Sequence, residues 1–324
     1  MENPYNEAMA STRGARSSSA GARAAGGLWM LVWSWGPAVG AIALYARHPA
    51  VWTFALAFVV VAARQNALFV VAHESWHKNL FPWKRLNDFA GAWLASSPIV
   101  LPHWHSRHAH LEHHRTVGTA ADPDRYAWGW TIRQRGAFVC NLLLVGTGLD
   151  FAHRVVRRLL RMPPPRPTPG RAPRVTFVVP EGRLDIIRIA IVHGALLGVF
   201  TATAGWPLYF ALWLAPALSL RLAVDELRQF LEHRGGRLII YRAGPIGRFV
   251  LGPFNFHLHA LHHALAAEPW FRLPAIEERA RSKDPQIIEL PGYVRELVAY
   301  LRGIDSTAAP VTDAAPRDAE EPAS

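Results

Sequence analysis

The chain has 324 residues, 51% of them hydrophobic and only 18% charged, with a formal net charge of +11. Its one cysteine, Cys140, excludes an internal disulfide and a cysteine-based metal site. No zinc finger or aromatic RNA-binding box accompanies the positive charge, so no nucleic-acid partner is expected. Lysine and arginine beside anionic lipid headgroups account for the charge instead.

The apolar residues come in long blocks, which predicts an all-α, polytopic membrane protein. Residues 1–27, rich in Ala, Gly, Ser and Arg, are expected to form a disordered basic arm. They do not read as a secretory signal, because the following apolar run is long and lacks a cleavage site. Leu28 to Ala46 is the first expected span, with Gly36-Pro37 as a tolerated kink. After the hinge Arg47-His48-Pro49, Val51 to Ala72 is the second. Arg64, Gln65 and Asn66 lie within it and should face the bundle interior.

Phe89 to Leu101 is apolar but too short to span, and reads as a re-entrant or interfacial helix that returns the chain to the side it left. Gly136 to Arg161 begins apolar and ends amphipathic, suiting a helix in the headgroup plane. Met162 to Pro173 is a Pro/Arg linker. Ile186 to Ala204 and Pro207 to Val224 are the third and fourth spans, joined by Gly205-Trp206. The four spans thus form two hairpins. A membrane domain over 28–302 precedes an acidic tail, 303–324, expected to be disordered. No internal sequence repeat is found. The two tight turns carry one arginine between them, so the positive-inside rule places both termini and the large basic loops in the cytoplasm.

Three histidine clusters stand out against this background: His73/His77, His110/His113/His114 and His259/His262/His263. Residues three and four apart share a helix face, with Cβ atoms about 5–6 Å apart. Three helical faces therefore each carry two or three imidazoles, the common ligand of zinc, iron, copper and nickel. Packed that densely, they would repel one another on protonation unless a cation kept them neutral. Eight histidines exceed one tetrahedral ion and suit two metals. His233, after the fourth span, is a ninth candidate. The isolated His48, His153 and His193 read as ordinary surface or core residues. His103, His105 and His108 precede the second cluster, and His105/His108 is an alternative pair, but the H-x-x-H-H frame of His110 matches that of His259.

His73-Glu74-Ser75-Trp76-His77 is also literally H-E-x-x-H, the zinc protease signature with Glu74 as general base. No distant carboxylate in an Asp-Gly context supplies the third ligand, and the other clusters would go unexplained. A metal store or transporter is a further reading, but transport places ligands inside the spans, whereas these clusters lie at span ends.

At these residues the chain resembles the membrane fatty acid desaturase and hydroxylase family, which carries three histidine boxes. Asn79-Leu80-Phe81 follows the first box, Asn87 and Gly91 sit where the family often has Asn and Gly, and Asp122-Pro123-Asp124 follows the second. Glu232-His233 resembles the extra histidine, Asn255 precedes the third box and Leu273-Pro274 follows it. The resemblance covers roughly residues 40–280. It implies four membrane helices, a cytosolic cap holding two iron ions, and oxygen-dependent attack on an unactivated C–H bond of an acyl chain. The implied ligands are His73, His77, His110, His113, His114, His233, His259, His262 and His263.

Fatty acyl desaturation is the expected reaction, with lipid hydroxylation or carotenoid ketolation as the family's alternatives. The substrate would be an acyl-lipid, acyl-CoA or acyl carrier protein. The chain shows no cytochrome b5 signature and no cysteine set for an iron–sulfur cluster, so a separate ferredoxin, cytochrome or reductase would supply electrons. Glu74, Glu112 and Glu232 adjoin ligands and are expected either to fix imidazole tautomers or to pair with nearby arginines; Trp76 reads as packing. Substitution tests the frame: His110→Ala, His113→Ala and His262→Ala should abolish activity and His103→Ala should not. Full activity in His113→Ala would remove this assignment.

Overall fold

The computed structural model describes residues 19–162, 182–283 and 287–306. Most of the expected arm, nearly all of the Pro/Arg linker and the tail from 307 lie outside the described residues. The remainder is almost wholly helical, with one small sheet of two short parallel strands.

Among the described residues, four helical stretches are long and apolar enough to cross a membrane: Ala20–Arg47, Val51–Trp76, Gly182–Thr203 and Trp206–Gly236. The chain is an all-α polytopic membrane protein. Helix α1 (Ala20–Arg47) starts eight residues before the expected Leu28, so residues 20–27 are helical rather than part of a disordered arm. Ser19 Oγ accepts the Ala22 N–H at 3.1 Å and caps the helix, and Ala24 packs against the core beside Met30. Helix α2 (Val51–Trp76) returns antiparallel after a three-residue hinge, and its Thr53 hydroxyl donates back to the His48 carbonyl of that hinge at 2.7 Å.

The short apolar segment between the first two boxes is helical and irregular. Helix α3 (Lys84–Phe89) runs into a π-helical turn, Ala90–Ser96, and a 3₁₀ turn, Ser97–Ile99, before Val100 reverses the chain at φ 58°. Irregular backbone at membrane depth is tolerated only where protein satisfies its polar groups. Three spans do so. Trp35 Nε1 of α1 donates to the Leu94 carbonyl at 3.0 Å. His193, from α8 (Gly182–Thr203), meets the Ser97 carbonyl at 3.0 Å through Nε2. Trp213 Nε1, from the fourth span, donates to the Pro98 carbonyl at 2.9 Å and stacks on Trp35 at 4.9 Å.

The polar trio inside α2 has a similar use. Arg64, Gln65 and Asn66 are fully buried. Arg64 donates to the Phe249 carbonyl, Asn66 to the Val250 carbonyl at 2.7 Å and Gln65 to the Trp213 carbonyl at 2.8 Å.

The cap contains α4 (His103–Thr116), α5 (Arg125–Trp128), α6 (Arg135–Gly146) and α7 (Leu149–Leu159) from the middle of the chain. The fourth span comprises α9 (Trp206–Tyr209), a π turn, Phe210–Leu214, α10 (Ala215–Leu218) and α11 (Leu220–Glu232). Beyond it come β1 (Ile239–Tyr241), α12 (Pro245–Val250), α13 (His259–Ala264), α14 (Glu277–Lys283), β2 (Ile288–Leu290) and α15 (Tyr293–Leu301). Strand β1 pairs with β2 through Ile239 and Ile288. The second apolar core joins α6, α11 and α15 through Phe138, Phe230 and Tyr300, with ring centres 4.4–5.6 Å apart.

Trp213→Phe removes the donor to the buried Pro98 carbonyl, a loss of about 1–3 kcal/mol for an unpaired group. Thermal unfolding in detergent should shift down by several degrees, while Trp29→Phe, at a 51% exposed ring, should leave it unchanged. Equal melting of both variants with the parent would show that this contact does not hold the re-entrant segment.

Candidate metal centre

The second span ends where the first box begins. His73 lies in the last turn of α2, and His77, one turn on, is the residue that closes the helix. Helix α4 carries His110, His113 and His114, α13 carries His259, His262 and His263, and His233 closes α11. The fold brings all nine together in two groups. His73, His77, His110, His114 and His262 form the first; His113, His233, His259 and His263 form the second. Within each group the ligand-capable nitrogens lie within 4.8 Å of one another.

Each of the two later boxes serves both groups. Consecutive residues on an α-helix are about 100° apart, so positions i+3 and i+4 flank the face of position i on opposite sides. Helix α4 gives positions i and i+4, His110 and His114, to the first group and i+3, His113, to the second. Helix α13 does the converse: His259 and His263 go to the second, His262 to the first. The groups adjoin where His114 stacks on His263 at 4.1 Å.

The donor set fits metal ions. The Nε2 atoms face one another in pairs, His77 and His110 at 2.8 Å, His110 and His114 at 3.0 Å, His77 and His262 at 3.1 Å. In the second group His233 stands 3.2 Å from His113 and 3.1 Å from His263, which is 3.0 Å from His259. A neutral imidazole carries one N–H, so such chains of facing nitrogens cannot all be hydrogen-bonded to one another. A shared cation satisfies them together. Burial, followed by repulsion from neighbouring histidines, drives His110, His114, His259, His262 and His263 well below the usual imidazole range, leaving them neutral.

Two Nδ1 atoms are held from behind, which points their Nε2 lone pairs inward. His113 Nδ1 donates to Asp122 Oδ1 at 2.8 Å, and His233 Nδ1 meets the Gln229 carbonyl at 3.2 Å. Burial alone would lower His113; the hydrogen bond to Asp122 and the charges of Asp124 and Asp122 outweigh it and raise the group. Asp122 is itself fixed, accepting from Trp128 Nε1 at 3.0 Å and from the Asp124 N–H at 2.8 Å.

The glutamates next to the ligands do other work. Glu112 pairs with Arg115 on the exposed side of α4. Glu232 accepts from Arg228 at 2.7 Å and from the Tyr293 hydroxyl at 2.8 Å. Glu74 Oε2 accepts the Trp270 N–H at 3.1 Å, and its other oxygen lies 3.7 Å from His73 Nδ1, beyond hydrogen-bond reach. Of the two expected roles, pairing with arginine is the one found for Glu112 and Glu232, and Glu74 fills neither. A residue next to a helical ligand, before or after it, points about 100° away, so adjacency in sequence is a poor guide.

Two residues escaped the sequence reading. Asp122 was visible only as part of the Asp-Pro-Asp flank. Asp185, in the first turn of α8, reaches across to accept the Trp104 and His105 N–H groups at 2.9 and 3.4 Å. It caps the helix of the second box, where negative charge also suits the helix dipole. No local pattern could reveal a cap supplied from some 80 residues away. Gly91 allows the irregular helical segment Ala90–Ser96 to press against the first box, since a side chain there would collide with Ser75 and the His103 ring.

His103 itself is buried, hydrogen-bonded to Ser96 Oγ at 2.9 Å and pushed down to about 3 by burial, and belongs to neither group. His105 and His108 also lie outside both groups, as do His48, His153 and His193. Trp76 is buried with its ring 5.3 Å from that of His110.

A multi-pass helical membrane protein with two adjoining all-histidine pockets above its spans is the class defined here. The chain belongs to the fatty acid desaturase family, whose model matches residues 49–290. Membership supports an oxidoreductase function of desaturase or hydroxylase type. No curated protein matched the chain in a direct comparison.

Asp122→Ala should weaken metal binding at the second group by about 10–100-fold, the usual effect of losing a carboxylate behind a ligating imidazole. Metal titration should then show one weakened and one unchanged site; two unchanged sites would show that Asp122 does not position His113.

Proposed function

We propose that this protein is an oxygen-dependent fatty acyl desaturase that holds two iron ions, one in each histidine group. The observation that carries this reading is the donor set: five imidazoles and four imidazoles, side by side, without a carboxylate or thiolate in either group. Five donors exceed the four of a structural zinc site, and imidazole suits iron. Bound there, iron supplies oxygen activation and the removal of hydrogen from an alkyl chain.

The chain's own residues supply binding and shielding. The nine imidazoles hold the ions, with Asp122 and Gln229 keeping the Nδ1 protons of His113 and His233 away from them. Eight of the nine are buried and His77 alone is half-buried, which shields the ions from water. The overall reaction removes two hydrogens from adjacent CH₂ groups as a double bond forms. One O₂ becomes two waters, with two electrons and two protons supplied from outside. A ferredoxin, cytochrome or reductase provides the electrons, and the acyl chain arrives on a lipid, coenzyme A or acyl carrier protein. Both termini and the histidine cap face the cytoplasm, in keeping with the charge bias of the loops.

The zinc protease reading loses support in the site. Glu74, its general base, is turned to the Trp270 amide, and His73 and His77 are grouped with three further histidines instead of a carboxylate. Metal transport is disfavoured because both groups sit at span ends.

Lipid profiles from cells expressing the parent and His262→Ala test the proposal, together with metal analysis of the purified protein. Acyl chains that lose two hydrogens only with the parent, and about two irons per chain, are the expected results. A gained oxygen atom would make the protein a hydroxylase, and a single zinc would overturn the iron assignment.

A further inference from the structure

Helix α7 has an apolar side that stays exposed among the described residues. At about 100° per residue, Leu149, Phe151, Val155, Val156 and Leu159 fall on one half of the helix and Arg154, Arg157 and Arg158 on the other. None of its residues is buried, and Leu159 is 76% exposed. The basic side continues into Arg161, and one acidic residue, Asp150, pairs with Arg154. A contiguous apolar face of this kind marks an interaction surface.

The position of α7 says what covers it. Helix α6 descends antiparallel to α11: Phe138 meets Phe230 at the top, Asn141 donates to Glu226 midway, and Gly146 lies against Ala223. At the bottom Gly148 reaches Ser219, where α10 passes into α11. There the chain bends by 76° into α7. Helix α7 therefore leaves across the direction of the spans. Ser219 lies five residues inside the expected span end at Val224, a depth of about 7.5 Å at 1.5 Å per residue. An amphipathic helix in a bilayer surface buries its apolar face by about 5–10 Å.

We infer that α7 lies in the bilayer surface on the histidine side, with its apolar face among acyl chains and its arginines on the phosphates of anionic lipids. Arginine is suited to phosphate because its fork of donors matches the oxygens. Through α6 the helix is fixed to α11, whose end presents His233, so it sets the height of that ligand above the membrane. The inference depends on the membrane-spanning fold and is independent of the reaction catalysed.

The test uses the full chain in nanodiscs of phosphatidylcholine and phosphatidylglycerol, on a Cys140→Ser background. Nitroxide labels are placed at Leu159→Cys, Val156→Cys and Arg154→Cys, and their accessibility to oxygen and to a water-soluble nickel chelate is compared. Oxygen-accessible, nickel-protected labels at positions 156 and 159, with the reverse at 154, are expected. Equal nickel access at all three would overturn the placement. Spin–spin broadening at position 159 would overturn it in favour of a second copy of the chain. Retention of phosphatidylglycerol through purification, read by mass spectrometry, should fall several-fold when Arg154, Arg157, Arg158 and Arg161 are replaced by Gln. Unchanged retention, in a variant that melts like the parent, would overturn the preference for anionic lipid.

Discussion

The site depends on one electrostatic constraint. Nine imidazoles crowd one largely buried volume, and the nitrogens of eight of them stand about as close as hydrogen-bonded atoms, 2.8–3.2 Å for the facing pairs. Protonated, they would repel one another at low dielectric; neutral, their lone pairs face each other without enough protons to bridge them. A cation in each group resolves both problems. The surroundings are arranged for this, with hydrogen-bond acceptors behind the rings at Asp122 and Gln229 and aromatic packing from Trp76 and Phe256.

That arrangement needs four separate pieces of chain at fixed positions, and the membrane part supplies the rigidity. The end of α2 brings the first box, and the irregular helical segment after it is locked by Trp35, His193 and Trp213 from three different spans. These bonds are worth more than their counterparts on a soluble surface, because an unpaired carbonyl in hydrocarbon has no water to turn to. Asp185 then ties the start of α4 to the third span, and the Phe138–Phe230–Tyr300 core holds α11. A basic interfacial helix joined to α11 through α6 would extend the same logic to the lipid.

Much of this is legible in the chain itself. The spans could be read because a bilayer imposes a length of apolar sequence, and the three boxes because helical spacing of i, i+3 and i+4 is a local property. The start of α1 was misread because alanine and glycine are poor evidence of burial, yet Ser19 and the packing of Ala24 extend the helix. For the glutamates the sequence left two roles open, tautomer fixing and pairing with arginine, because nearness in sequence is not nearness on a helix face. Glu112 and Glu232 turn to arginines, and Glu74 turns to a backbone amide.

The sequence by itself determined a helical membrane protein with histidines enough for two metals, since hydropathy and helical periodicity act over a few turns of one segment. Only the tertiary structure decided how the nine are divided, five with His262 and four with His233, and that Asp122 and Asp185 support them. Those choices depend on the relative rotation and height of helices up to some 190 residues apart in the chain. Such placement is fixed by packing between segments, which leaves no periodic trace in any one of them.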